Sequence, residues 1–123
     1  MSAADVPAPP TRGEVWLVRL PRAVGAELQR VRPAVIVNSP AFDAAPVRII
    51  VPLTTWVAEF TGTGNKLLVE ATERNGLNAD SAADFLQVRS VSVERLVQRL
   101  GGLDADLVEE IVAGIAIALD YQP

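Results

Sequence analysis

The chain has 123 residues, half of them hydrophobic, and a formal net charge of −4. That length supports one domain with its own apolar core. Cysteine and histidine are both absent, which excludes disulfide frameworks, thiol nucleophiles, the usual zinc ligand sets and imidazole acid–base pairs. Chemistry is left to carboxylate, hydroxyl, tyrosine, lysine and arginine groups, and no metal or cofactor is expected. The charge is graded along the chain: residues 1–50 sum to +2, residues 51–100 to −1 and residues 101–123 to −5. The acidity is therefore concentrated in the tail, and the net value hides a mildly basic first half.

Residues 1–11 (MSAADVPAPPT) are proline-rich and read as a disordered lead-in to a single domain at 12–123. They carry no basic patch followed by an apolar core, and no apolar run in the chain is long enough to span a bilayer, so a cytoplasmic protein without a membrane partner is expected. Glu14 to Leu20 (EVWLVRL) alternates and predicts a strand with both faces partly covered. A polar connection, Pro21 to Val31, is longer than a tight hairpin needs. Two apolar strands follow, Pro33 to Ser39 (PAVIVNS) and Val47 to Leu53 (VRIIVPL). Arg32 opens the first, and Thr54 with Thr55 closes the second.

Trp56 to Asn65 is a Gly- and Thr-rich loop with an exposed-looking aromatic pair, Trp56 and Phe60. Two readings stay open: a platform for stacking bases, or a staple over the end of a barrel. Lys66 to Ala71 reads as a strand, and Thr72 to Asp80 must turn at Asn75-Gly76. Ser81 to Val88 and Arg95 to Leu103 read as strands joined by a short SVSVE connector. The end is a helix: Asp104 suits its N-cap, and Leu107, Val108, Ile111, Val112, Ile115 and Leu119 form one apolar stripe. Gly114 within it marks a close packing contact. The fold class is α+β, mostly β: a small, strongly bent barrel capped by a C-terminal amphipathic helix.

The segments RGEVWLVRL, GAELQRVRPAVIVNS, VRIIVPLTT, LQVRSVSVERL and LGGLDADLVEEI occur in an order that resembles the MazF/PemK family of toxin endoribonucleases, from about Arg12 to Tyr121. The resemblance implies an SH3-like barrel and a homodimer. It also implies metal-independent cleavage of single-stranded RNA at short sequences, leaving a 2′,3′-cyclic phosphate and a 5′-hydroxyl. A cognate MazE-like antitoxin with a disordered acidic tail is the implied inhibitor. The family's catalytic arginine falls on Arg32 and its threonine on Thr54, while the glutamate of its G-S-E-Q loop falls on Glu27. Ala26 and Leu28 depart from that loop, and Leu86 stands where many members have an acid before Gln87, Val88 and Arg89.

The residues are compatible with that chemistry. Cyclic-phosphate formation needs a ribose 2′-hydroxyl deprotonated, phosphate charge stabilised and the leaving 5′-oxygen protonated, and no metal or histidine is obligatory. Arg32 can stabilise the charge, a contribution of about 3–4 kcal/mol for one preorganised donor. Thr54 can bond a phosphate oxygen or orient the nucleophile. Glu27 is the candidate base, and equally a salt-bridge partner for Arg30 or Arg32, because a carboxylate beside arginines is a weak base. Arg30, Thr55, Trp56, Gln87 and Arg89 are the candidate RNA contacts. Two other readings share the architecture: a non-catalytic gyrase-binding toxin like CcdB, and a catalytically weak sink for antitoxin.

Overall fold

The computed structural model describes residues 8–21 and 30–122, and on them the expected class is found. Seven strands, β1 (Glu14–Leu20), β2 (Arg30–Ile36), β3 (Val47–Thr55), β4 (Lys66–Val69), β5 (Ser81–Asp84), β6 (Arg89–Ser92) and β7 (Leu96–Gly102), precede one helix, α1 (Ala105–Ala118). All pairings are antiparallel, in the order β4-β5-β3-β2-β1-β7, with β6 also on β3. The sheet is bent but not closed. Between its end strands the turn at Arg74–Gly76 packs on β7 through a single backbone bond, Gly102 N–H to Arg74 O at 3.0 Å, instead of a ladder.

β3 is the hub. One edge pairs with β2 over Ile50–Pro52, and the other pairs with β6 over Val47–Ile50 and then with β5 over Leu53–Thr55. Its alternating apolar residues supply two cores. Val51 and Leu53 join Val15, Val35, Val69 and Ala83 under Val108 and Ile111 of α1. Ile50 joins Val18, Leu20, Ala34, Ile36 and Val91 on the opposite face. Burying each Val, Leu or Ile among them contributes about 1.5–3 kcal/mol, so both faces hold β3 rigid.

Several boundaries differ from expectation. β2 begins at Arg30 because Leu20 of β1 pairs with it, so Arg32 lies inside the strand and not at its opening. β2 also stops at Ile36, before Ser39. β3 runs on through Thr55 because Ala82 and Ser81 of β5 pair with Thr54 and Thr55. The connector after Val88 is itself a strand, β6, since Ser90 and Val91 pair with Ile49 and Arg48. Ser81–Val88 is correspondingly broken by a single 3-10 turn at Phe85–Gln87.

Contacts with the domain reach ahead of Arg12, to Pro10. Arg48 is 2% exposed, and its Nε donates to Pro10 O at 2.9 Å while its Nη atoms donate to the carbonyls of Asp43, Ala45 and Val47. Asp104 stands at the N-cap position of α1 without a side-chain cap bond, because its carboxylate is engaged by Arg74. Leu119, expected in the buried stripe, is 71% exposed with Ile117 and Tyr121 nearby. The stripe is thus consumed only through Ile115. Gly114 behaves as expected, since a Cβ there would fall within the Phe85 ring. Among the described residues no helix is long and apolar enough to cross a membrane.

Candidate functional site

The site grows from a fork between β2 and β3. Their ladder pairs Ile36 with Ile50, Val35 with Val51 and Ala34 with Pro52, and then ends. The next bond would come from the N–H of residue 33, which as Pro33 has none, and beyond Pro52 β3 takes β5 on its other edge. Directly opposed residues of an antiparallel pair project to the same side. Carried two residues past Ala34 and Pro52, the register sets Arg32 across from Thr54 on one face. Arg30 and Ala82 share that face. Arg89, opposite Ile50, lies on it too, four residues or about 13 Å along β3 from Thr54.

Arg32 is half-buried. Burial first, and then repulsion from Arg30, lowers its pKa from the ordinary value. A guanidinium stays charged at neutral pH through such a shift, so the fold keeps a cation where a cation is disfavoured. The ion pairs among the described residues use Arg12, Arg48, Lys66, Arg74 and Arg99, and none involves Arg30, Arg32 or Arg89. These three cations are left facing one side of the sheet, while the acidic helix covers the other. Glu27, with Ala26 and Leu28, lies outside the described residues.

Beside the fork is a cleft of about 300 Å³. Pro33 and Leu53, which project to the helix side of the sheet and away from Arg32, line it with Thr54 and Thr55 along one rim and Leu77 and Asn78 along the other. The second rim is held by a buried amide that the sequence showed only as a turn signal. Asn75, 3% exposed, donates to Glu70 O at 2.8 Å and accepts from the N–H groups of Thr72 and Leu77 at 3.0 and 3.1 Å. Gly76 follows at φ +69, where a Cβ would strike the Leu100 carbonyl. Asp80 closes the segment, its backbone O accepting from Trp56 N–H at 2.9 Å. Asn78 was not among the expected site residues; nothing in the sequence but its position after Asn75-Gly76 pointed to it.

The remaining expected residues are distributed around this centre. Thr55 is exposed at the rim. Trp56 is half-buried rather than exposed: it meets Phe60 edge-on, with centroids 5.7 Å apart and planes at 82°, and Lys66 Nζ sits 4.8 Å over the Phe60 ring. Lys66 in turn pairs with Asp84 at 3.7 Å, whose Oδ1 accepts from Asn65 at 2.8 Å. The aromatic loop is therefore pinned at the end of β3. Gln87 is exposed in the 3-10 turn just before Arg89.

Residues 11–119 match the model of the PemK-like, MazF-like toxins of type II toxin–antitoxin systems. The chain is 32% identical over 115 residues to the endoribonuclease MazF9 of Mycobacterium tuberculosis, covering 89% of this chain and 95% of that protein. It is 24% identical over 109 residues to the endoribonuclease EndoA of Bacillus subtilis, covering 88% and 92%. In structure it resembles MazF in a MazE–MazF complex from Deinococcus radiodurans, with a TM-score of 0.75 at 18% identity over 94% of this chain and all of that one.

Proposed function

The chain belongs to the PemK-like, MazF-like toxin family, and from that premise we propose that it cuts single-stranded RNA without a metal, at a phosphate held between Arg32 and Thr54. One observation carries the assignment of the pair: the β2–β3 register puts a charged, half-buried guanidinium and a hydroxyl on one face where the strands part. The ribose 2′-hydroxyl attacks the adjacent phosphorus, the bond to the 5′-oxygen breaks, and the products are a 2′,3′-cyclic phosphate and a 5′-hydroxyl. Arg32 stabilises the charge that builds on the non-bridging oxygens. Thr54 donates to one of those oxygens and fixes its direction. Glu27 takes the 2′-proton or holds Arg30 and Arg32 in place, and the leaving 5′-oxygen takes its proton from solvent water. Arg30 and Arg89 carry neighbouring phosphates, and Thr55, Trp56 and Gln87 touch the strand between them.

The toxin works in the cytoplasm as a homodimer, and a MazE-like antitoxin with an acidic disordered tail silences it by lying along the same cationic face. The solved MazE–MazF complexes of relatives support such a partner. The test is a long mixed-sequence RNA incubated with the protein in EDTA, beside Arg32→Ala. Discrete cuts with 5′-hydroxyl ends, lost in a folded Arg32→Ala, are expected. Cuts that persist in the variant remove Arg32 from the mechanism. No cuts by the folded wild type turn attention to the exposed Ile117, Leu119 and Tyr121 and to protein contact as the mode of action.

A further inference from the structure

The loop that carries Trp56 leaves β3 on the face that bears Arg32 and Thr54. The ladder between β3 and β5 pairs Thr54 with Ala82 and Thr55 with Ser81, and Trp56 N–H extends it by one bond to Asp80 O at 2.9 Å. Alternate residues of a strand share a face, so Trp56 follows Thr54 on its side and Asp84 follows Ala82. Lys66 of β4, directly opposite Asp84, is on that side as well. One aromatic pair and one ion pair therefore occupy the same face at the β4 end of the sheet.

Three contacts link them. Asp84 Oδ2 lies 3.7 Å from Lys66 Nζ, the ammonium sits 4.8 Å from the centre of the Phe60 ring, and Phe60 meets Trp56 edge-on at 5.7 Å. The chain of contacts is anchored at Asp84, whose Oδ1 accepts from Leu86 N–H at 3.0 Å and from Asn65 Nδ2 at 2.8 Å. The loop has little else to hold it: a Cβ added at Gly62 or Gly64 would meet nothing within 4 Å. Lys66 and Asp84 side chains are only 19% and 17% exposed, so this ammonium is spent on a ring and a carboxylate rather than extended into water. Resting on the nuclease reading above, in which Trp56 touches the RNA, we infer that Lys66 and Asp84 are positioning residues: their pair fixes Phe60 and, through it, the Trp56 ring before RNA arrives. A contact ordered in advance spares the ordering cost of binding. The relation of Arg32 to Thr54 is set separately by the β2–β3 register, so the pair governs affinity and leaves the chemical step alone.

The experiment measures three quantities: affinity for a non-cleavable single-stranded oligonucleotide, the single-turnover cleavage rate at saturation, and the emission of Trp56 and its quenching by acrylamide. Trp56 is isolated by Trp16→Phe, since the chain has two tryptophans. Lys66→Met, and Asp84→Asn, which keeps an oxygen for Leu86 and Asn65, are each expected to weaken binding about tenfold. The saturated rate stays at the wild-type value, while Trp56 emission moves to the red and quenches more readily. Lys66→Arg keeps the charge and stacks on a ring, and it restores both affinity and emission. In a Trp56→Leu background Lys66→Met brings no further loss. Unchanged Trp56 emission in Lys66→Met and Asp84→Asn overturns the inference. So does an undiminished loss in the Trp56→Leu background, because Lys66 would then act on RNA by its own charge. Loss of cooperative melting in both variants makes the pair a folding element and overturns it too. A folded wild type that neither binds nor cuts RNA overturns the nuclease reading, whereas the emission still reports whether the pair orders the ring.

Discussion

Two arginines sixteen positions apart in the same sheet carry opposite duties. Arg48 is buried with its donors taken by four carbonyls and Asp43 3.5 Å away. Arg32 is half-buried, unpaired among the described residues and depressed in pKa. A basic group whose folded pKa lies below its unfolded value disfavours folding wherever it is charged, which includes neutral pH. Arg32→Met is therefore expected to leave the melting temperature unchanged or raise it while abolishing cleavage. Arg48→Met leaves four carbonyls without their donor and takes the cation from Asp43, which keeps only its bonds from Thr11 and Asn38, and it is expected to lower the melting temperature by several degrees or more. Paired thermal melts decide between the two roles, and a drop for Arg32→Met would make it structural. Thr54→Val keeps shape and removes one hydroxyl, so a loss of tenfold or more in cleavage rate is expected, about 1.4 kcal/mol of barrier. Equal rates would assign the hydroxyl to folding alone.

At the scale of elements, the helix shows how a propensity gain can be outweighed. Gly114→Ala gains about 1 kcal/mol of helix preference, yet its Cβ has no room beside Phe85. Overpacking of that kind costs about 1–3 kcal/mol, so a lower denaturation midpoint is expected, with relief when Phe85 is trimmed to Leu in the same chain. Gly114 was readable because a glycine inside an apolar stripe has few other reasons to be there. β1 was readable from alternation, and β3 from its run of Val and Ile. β6 was not, because its four residues, Arg89–Ser92, carry three polar side chains and owe their extended form to the neighbouring edge of β3. Likewise Arg32 looked terminal because Arg30 and Val31 are not buried, and only the pairing of β1 with Arg30 makes them strand. Asn78 stayed hidden for another reason: a turn signal gives a bend, whereas the cleft it borders exists only when β2, β3 and β7 are assembled.

For the whole molecule, the sheet separates charge. Arg30, Arg32 and Arg89 share one face, and the helix on the other carries Asp106, Glu109 and Glu110. A net −4 chain can therefore still present a cationic surface to a polyanion. Three phosphate contacts per protomer give a slope of about −2 in log affinity against log salt for single-stranded RNA. Titration of a non-cleavable oligonucleotide from low to high salt measures it, and a flat dependence would contradict a phosphate-led interface.

The parity of β2 and β3 bears on which sequence changes this site can survive. Arg32 and Thr54 share a side only because each stands two residues beyond the paired Ala34 and Pro52. One residue lost or gained between Pro52 and Thr54 would turn the hydroxyl to the opposite face, although every side chain of the site would still be present in the sequence. An insertion at Gly62 or Gly64, where an added Cβ would meet nothing within 4 Å, leaves that relation untouched. Descent can therefore vary the site by exchanging residues, but lengthen the chain only away from the fork.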